Sequence, residues 1–343
     1  MIEHSTVWIP AWTRWQWYFP GRSGALMVPL VLIGGTTFVL GALLGPRLIA
    51  ALQRASARQI AYEDAPKTHR AKTGTPTMGG VLFALAPLCA LFYVPFRATL
   101  ALAVLVFACM AIGAVDDLAK IRGAKNRGLG ARAKFGLTVV AAIVFLLVAG
   151  PQPSELLGIG AVPPWVWYLL SVCVVLATTH AVNLTDGLDG LAGGVAVPPL
   201  LVLAYCGWIL EASRGLEGYA AVAVACATLG AVLAFLVYNR HPARVFMGDT
   251  GSLALGAALA GIAILTGAHL LLLLIGGVFA AETLSVIIQV ASYKTTRRRV
   301  FRMSPLHHHF ELGGLTETAV TVRFWIASLV LSLLGFALIA RTA

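Results

Sequence analysis

Ten apolar stretches follow one another along the chain, at residues 24–46, 77–95, 98–115, 134–150, 163–182, 190–210, 219–238, 250–267, 270–292 and 320–340. Runs of roughly 17 to 25 apolar residues are long enough to cross a bilayer's hydrocarbon core as helices. Hydrocarbon offers backbone groups no partner, so such runs must bond internally. The expected fold is therefore an all-α integral membrane protein with ten transmembrane helices. Composition excludes the soluble alternative: of 343 residues 59% are hydrophobic and 11% charged, with a mean hydropathy of +0.86. No linker or polar block interrupts the series, so residues 1–343 read as a single polytopic domain. The opening residues, MIEH, lack the basic segment of a signal peptide, and the first helix is expected to act as its own insertion signal. Cys89, Cys109, Cys173, Cys206 and Cys226 lie inside apolar runs without paired spacing and read as small packing residues.

The net charge of +11 is distributed unevenly. With ten alternating helices, one set of loops carries twenty of the 25 Lys and Arg residues; the other carries only Arg14, Arg22, Arg97, Arg214 and Arg341. The positive-inside rule makes the first set cytoplasmic and puts both termini outside. Trp8, Trp12, Trp15, Trp17, Trp165, Trp167 and Trp208 then fall at the outer boundary as one aromatic belt, with residues 1–23 a Trp-rich interfacial segment.

All six aspartates fall on the cytoplasmic side, five at or beside a helix end: Asp116 and Asp117 in GAVDDLAK, Asp186 and Asp189 in NLTDGLDG, Asp249 in FMGDTGS. A carboxylate costs about 2.5–3.5 kcal/mol at the centre of an inserted helix and less near the interface, so recurrence in glycine-rich helix ends implies use beyond solubility. Such carboxylates suit a hard divalent cation that takes oxygen ligands. Glycines let backbone approach a phosphate closely, and helix starts favour anions. The EF-hand register is absent from TDGLDG. A basic rim by itself attracts anionic lipid at about 1 kcal/mol per residue near the surface, which covers most of the lysines and arginines. Lys72 and Lys120 stand closest to the glycine-rich and acidic motifs. The histidines of MSPLHHHFE suit zinc or phosphate; no further Cys or His lies near, which favours phosphate or sugar. Glu282, in the ninth run after Gly276-Gly277, reads as an interhelical hydrogen-bonding group, while Ser285 and Gln289 line a cleft if that helix breaks.

Carboxylates, lysines and histidines gathered at one membrane face describe phosphoryl transfer between a soluble anion and a lipid, where positioning and charge neutralisation carry most of the catalysis. No Walker A sequence is present. A cation-coupled transporter is the competing class, but it would hold its acids near the midplane, commonly in repeats.

In order along the chain, KTGTPTMGG, DDLAK, NLTDGLDG, FMGDTGS and SPLHHHFE resemble the bacterial phospho-N-acetylmuramoyl-pentapeptide transferases, within the wider polyprenyl-phosphate N-acetylhexosamine-1-phosphate transferase superfamily. TPTMGG and SPLHHHFE favour that branch over the N-acetylglucosamine-phosphate branch. The resemblance implies transfer of phospho-MurNAc-pentapeptide from UDP-MurNAc-pentapeptide to undecaprenyl phosphate, giving lipid I and UMP in peptidoglycan synthesis. It implies ten helices with the ninth broken, a cytoplasmic active site in the bacterial inner membrane, Mg2+ as cofactor and a homodimer, with membrane lipids and no nucleic acid among the partners. By motif position Asp249 would bind Mg2+, and Asp116 and Asp117 would serve metal or lipid phosphate. Asn183, Asp186, Gly187, Leu188, Asp189 and Asn239 would shape the nucleotide pocket, with Phe246 stacked on uracil. His307, His308 and His309 would face phosphates and sugar, His308 among the catalytic groups, with Lys72 and Lys120 as anion contacts. Thr75 and Gln289 complete the expected substrate set. Direct attack by the lipid phosphate is the expected route, with Asp116 as candidate base; a phospho-aspartate intermediate is the alternative.

Overall fold

The computed structural model describes residues 27–55, 74–122, 128–214 and 216–341. Its helices are α1 (Met27–Arg54), a 3-10 segment (Gly79–Ala84) running into α2 (Leu85–Tyr93), α3 (Arg97–Arg122), α4 (Ala131–Ala149), α5 (Pro164–Thr185), α6 (Leu191–Arg214), α7 (Leu216–Asn239), α8 (Gly248–Leu265), α9 (His269–Ile275), α10 (Gly277–Thr296), α11 (Leu306–Glu311) and α12 (Glu317–Ile339). One antiparallel hairpin, β1 (Glu155–Leu156) with β2 (Gly160–Ala161), joins α4 to α5.

Among the described residues eight helices are long and apolar enough to span a membrane: α1, α3 to α8 and α12. The ninth run divides into α9 and α10, bent by 82° across Gly276; taken as one span they make nine. The 77–95 run yields only the shorter apolar stretch Gly79–Tyr93. Its first amides are committed elsewhere, Gly79 N–H donating to Phe246 O (2.8 Å) and Gly80 N–H to Met247 O (3.0 Å), which delays regular helix.

Several buried hydroxyls inside these helices are satisfied locally. Thr37, Ser171, Thr179 and Thr228 each donate to the carbonyl four residues earlier at 2.7–2.8 Å, so none needs a polar neighbour in an apolar setting. The core is organised around α8, 89% of whose apolar span is buried, against 28% for α1 and α4 and 22% for α12. Small residues allow this. A Cβ on Gly113 of α3 would stand 2.1 Å from Asp249 O, one on Gly80 2.1 Å from the Gly251 Cα, and one on Gly256 2.5 Å from the Thr179 Cα. The close approach these glycines permit is therefore of helix to helix, the device by which helices associate in lipid.

Three readings from sequence need correction or limits. α3 continues past its apolar run to Arg122, because Asp116 and Lys120 form an i,i+4 ion pair that carries the helix through the acidic motif. Trp167 is not part of an interfacial belt: it is 1% exposed, packed against Tyr168 and His269. Trp8, Trp12, Trp15, Trp17 and Lys72 lie outside the described residues. All five cysteines are free, four of them buried or half-buried.

Candidate functional site

Asp116 and Asp117 are neighbours on α3 and project about 100° apart, so they meet different partners. Asp117 accepts the backbone N–H of Asp249 (3.1 Å) and of Thr250 (2.9 Å) and the Thr250 hydroxyl (2.7 Å). It is the N-terminal cap of α8 supplied from another helix, satisfying donors that a helix start leaves orphaned. Gly248 enters that turn at φ +72°, and a Cβ there would lie 2.6 Å from Asp117 Oδ2.

Asp116, 1% exposed, turns instead to two lysines. Its Oδ2 pairs with Lys120 Nζ at 2.7 Å, and its Oδ1 pairs with Lys134 Nζ at 3.1 Å and accepts Leu129 N–H at 2.8 Å. Both lysines also reach Asp249, Lys120 at 3.0 Å from Oδ1 and Lys134 in direct contact with Oδ2. The result is a ring of alternating charge drawn from three helices: Asp116 and Lys120 on α3, Lys134 on α4 and Asp249 on α8. Asp117 adjoins it and leaves the group one negative charge in excess. One carboxylate oxygen from each of Asp116, Asp117 and Asp249 lies within 4.8 Å of the others. An all-oxygen donor set of that span fits Mg2+ or Ca2+, and lacks the nitrogen or sulfur that zinc favours. Asp249 and Asp116 engage their oxygens chiefly with lysine side chains, whereas the three hydrogen bonds to Asp117 fix the start of α8.

Asp186 caps the end of α5. Burial, then the negative charges of Asp249 and Asp117, push its carboxyl up to about 8, against the opposing pull of Lys120. The residues after it brace the loop. Asn239 accepts Gly190 N–H (2.9 Å) and donates to Val245 O (2.9 Å), while Asp189 accepts from His241 Nδ1 and Ala243 N–H, each at 3.0 Å. Asp189 N–H in turn donates to Glu317 (2.7 Å), tying the loop to the start of α12. Asp189, His241 and Glu317 also lie close enough to share a cation, but these bonds make them a clasp between α6, α7 and α12. Asn183 donates to Ser252 (2.8 Å), joining α5 to α8, and Leu188 is buried.

The histidine helix α11 docks on this loop. His307 is buried, and its backbone N–H (3.2 Å) and Nδ1 (3.1 Å) both meet Glu282 Oε1 on α10. Its ring fills the place of a Cβ on Gly187, which would stand 2.2 Å from His307 Nε2. His308 pairs with Glu311 (2.9 Å), and His309 Nδ1 accepts Arg302 N–H (3.1 Å). Gln289 is committed to the following loop, bonding the backbone of Val300 and Phe301 at 2.9–3.0 Å. Half-buried Phe246 is held by backbone bonds to Pro76 and Gly79. Thr75 lines a cleft of about 540 Å³ between the end of α1 and Arg244, whose lining holds none of the acids.

Lys134, Thr250 and the Glu282–His307 contact are what the sequence did not expose. Lys134 had one signal: a cation in the first turn of a helix opposes the helix dipole and so requires an anion nearby. The other two depend on contacts between segments far apart in the chain.

A family profile described as Glycosyl transferase family 4 matches residues 99–267, and one described as Phospho-N-acetylmuramoyl-pentapeptide-transferase signature 1 matches residues 72–83. The phospho-N-acetylmuramoyl-pentapeptide-transferase of Moorella thermoacetica is 45% identical over 91% of this chain and 98% of its own length. Those of Geobacillus kaustophilus (43% identical, 89% of this chain and 96% of the relative) and Heliobacterium modesticaldum (45%, 86% and 93%) are similar.

Proposed function

The chain belongs to the phospho-N-acetylmuramoyl-pentapeptide-transferase family, and from that premise we propose how it works. It transfers phospho-MurNAc-pentapeptide from UDP-MurNAc-pentapeptide to undecaprenyl phosphate, giving lipid I and UMP. The observation that carries the reading is the ring of Asp116, Lys120, Lys134 and Asp249 at the helix ends. It offers cations for a diphosphate and carboxylates for a metal, at a depth a lipid phosphate can reach. A cation-coupled transporter would hold such groups mid-membrane.

Asp249 and Asp116, with Asp117 behind them, would hold Mg2+, which when bound neutralises charge on the donor diphosphate. Lys120 and Lys134 orient the phosphates and stabilise charge on the departing UMP. A phosphate monoester has a second pKa near 6, so the lipid phosphate is largely dianionic and attacks the sugar-bearing phosphorus without a base. Asp116, holding two lysines, serves better as their counter-ion than as a proton acceptor. The braced 186–190 loop shapes the uridine pocket beside Phe246, and His307, docked on Gly187, presents His308 and His309 toward phosphate and sugar.

We read the bundle as ten spans, counting Gly79–Tyr93 and the bent α9–α10 pair, within one domain in the bacterial inner membrane. In this reading both termini lie outside and the acidic end faces the cytoplasm, which the twenty-to-five distribution of basic residues supports. A homodimer completes the assembly.

The test is UMP release by detergent-solubilised protein given UDP-MurNAc-pentapeptide, a polyprenyl phosphate and Mg2+. Turnover with that donor is expected to exceed turnover with UDP-N-acetylglucosamine at least about a hundredfold, a discrimination typical of a site built around polar groups its rival lacks. Equal turnover would remove the muramoyl-pentapeptide assignment and keep the superfamily.

A second expectation concerns pH. Asp186 is raised to about 8 by burial first and by the negative charges of Asp249 and Asp117 second, so at neutral pH it is largely protonated. A cation bound among Asp249, Asp117 and Asp116 offsets that charge and favours the ionised form. Mg2+ binding therefore releases a proton, and the affinity increases as pH rises toward about 8. Titration calorimetry in buffers of different ionisation enthalpy reads the proton directly; Asp186→Asn should abolish it. A proton count unchanged in that variant would place the titrating group elsewhere.

A further inference from the structure

His180 stands on α5 three residues before Asn183, and nothing so far uses it. Its ring stacks on Phe135 of α4, with centroids 6.2 Å apart and planes within 12° of parallel. Its Nε2 is buried and, among the described residues, has no hydrogen-bond partner. It is near enough to Lys134 and Asp249 for both charges to act on it. A buried polar atom beside a charged cluster, left without a partner by the protein, is a place where a ligand atom completes the site.

The side from which that ligand arrives is marked by Phe135, which is 53% exposed. Beyond it Leu137, Val140, Ile143 and Leu147 are also exposed, leaving α4 open over an apolar arc along its length. A polyprenyl chain can lie on such a surface; a nucleotide sugar cannot. His180 also sits five residues before the end of α5, about 7.5 Å deeper than that end at 1.5 Å per residue, whereas Asp186 and the braced loop stand at the end itself. The stacked pair is thus the point where the lipid-facing surface meets the charged ring.

Resting on the reading that the acceptor is a polyprenyl phosphate, we propose that His180 is the contact that receives the acceptor phosphate. Nε2, carrying the imidazole proton, donates to a non-attacking phosphate oxygen, and Phe135 fixes the ring so that Lys134 and His180 grip the phosphate from two sides. The attacking oxygen is left free, and the bonds made and broken remain those of the transfer: oxygen to the sugar-bearing phosphorus forms, and the bond from that phosphorus to UMP breaks.

The test is steady-state kinetics of detergent-solubilised full-length enzyme with each substrate varied in turn. His180→Phe keeps an aromatic ring against Phe135 and deletes the donor. It is expected to raise the KM for polyprenyl phosphate about tenfold and to leave the KM for the nucleotide donor within about twofold, the scale of one charge-assisted hydrogen bond. His180→Gln, which restores an N–H, should recover most of the loss and guards against a folding defect in the first variant. An unchanged acceptor KM in His180→Phe, a parallel rise in the donor KM, or a fall in kcat alone would each overturn the proposal. Wild-type enzyme that releases no UMP with any polyprenyl phosphate would instead bring down the acceptor assignment on which it rests.

Discussion

Asp249→Asn is expected to lower UMP release by roughly a thousandfold or more, the loss of several kcal/mol of transition-state charge stabilisation. Asp249 is the second residue of α8, where backbone N–H groups and the helix dipole already gather positive potential. Its carboxylate meets Lys120 on one oxygen and Lys134 on the other, so it is both the strongest candidate to hold Mg2+ and the group that aims two phosphate-binding cations. Removing its charge leaves Asp116 alone between two lysines. The variant should therefore also bind Mg2+ more weakly and melt somewhat lower, although Lys120 remains a third exposed and keeps part of its hydration. UMP release in a stopped assay, set beside a thermal melt, separates the two effects. Near-normal turnover in a folded variant would put the metal on other ligands.

How much of this was legible in the sequence depends on the distance over which each feature is decided. Spanning helices are decided locally, by twenty or so apolar residues: among the described residues eight of the ten apolar runs became helices long enough to span, a ninth is bent at Gly276, and the 77–95 run gives only a shorter helix. The break in the ninth run was implied by the family resemblance, and it suits Gly276-Gly277, since glycine weakens a helix. Where α3 ends was not readable from hydropathy, since the helix continues on the Asp116–Lys120 pair after apolar residues run out. Which helix is central was encoded more subtly. α8 has one of the lowest hydropathies of the eight spans and the greatest burial, because Gly and Ala suit contact with protein, while the Leu-rich α12 faces outward. The acidic motifs announced a site, but their division of labour was hidden. That Asp117 caps α8, that Asn239 and Asp189 brace a loop, and that Glu282 holds His307 are facts of contact between segments 25 to 133 residues apart.

That division bears on the order of the chemistry. Enzyme mixed with UDP-MurNAc-pentapeptide and Mg2+ but no polyprenyl phosphate is expected to release no stoichiometric UMP in a rapid-quench experiment. A covalent route would free about one UMP per enzyme as the donor arrives, because a protein nucleophile takes the sugar-phosphate first. The two candidates are Asp117 and Asp116, and neither has an oxygen at liberty. Asp117 receives three hydrogen bonds from Asp249 and Thr250; to attack phosphorus it would have to surrender the cap of α8, worth about 1–2 kcal/mol, and displace the helix start that carries Asp249. Asp116 is 1% exposed and bound by both lysines. The lipid phosphate needs neither, being already largely dianionic. Asp117→Ala should accordingly fail in two ways that a nucleophile variant would not combine: a lower melting temperature from the lost cap, and a loss of turnover that tracks weakened Mg2+ binding as Asp249 shifts. A lipid-independent burst in wild-type enzyme, absent from a fully stable Asp117→Ala, would establish the covalent route and reassign Asp117 from helix cap to nucleophile.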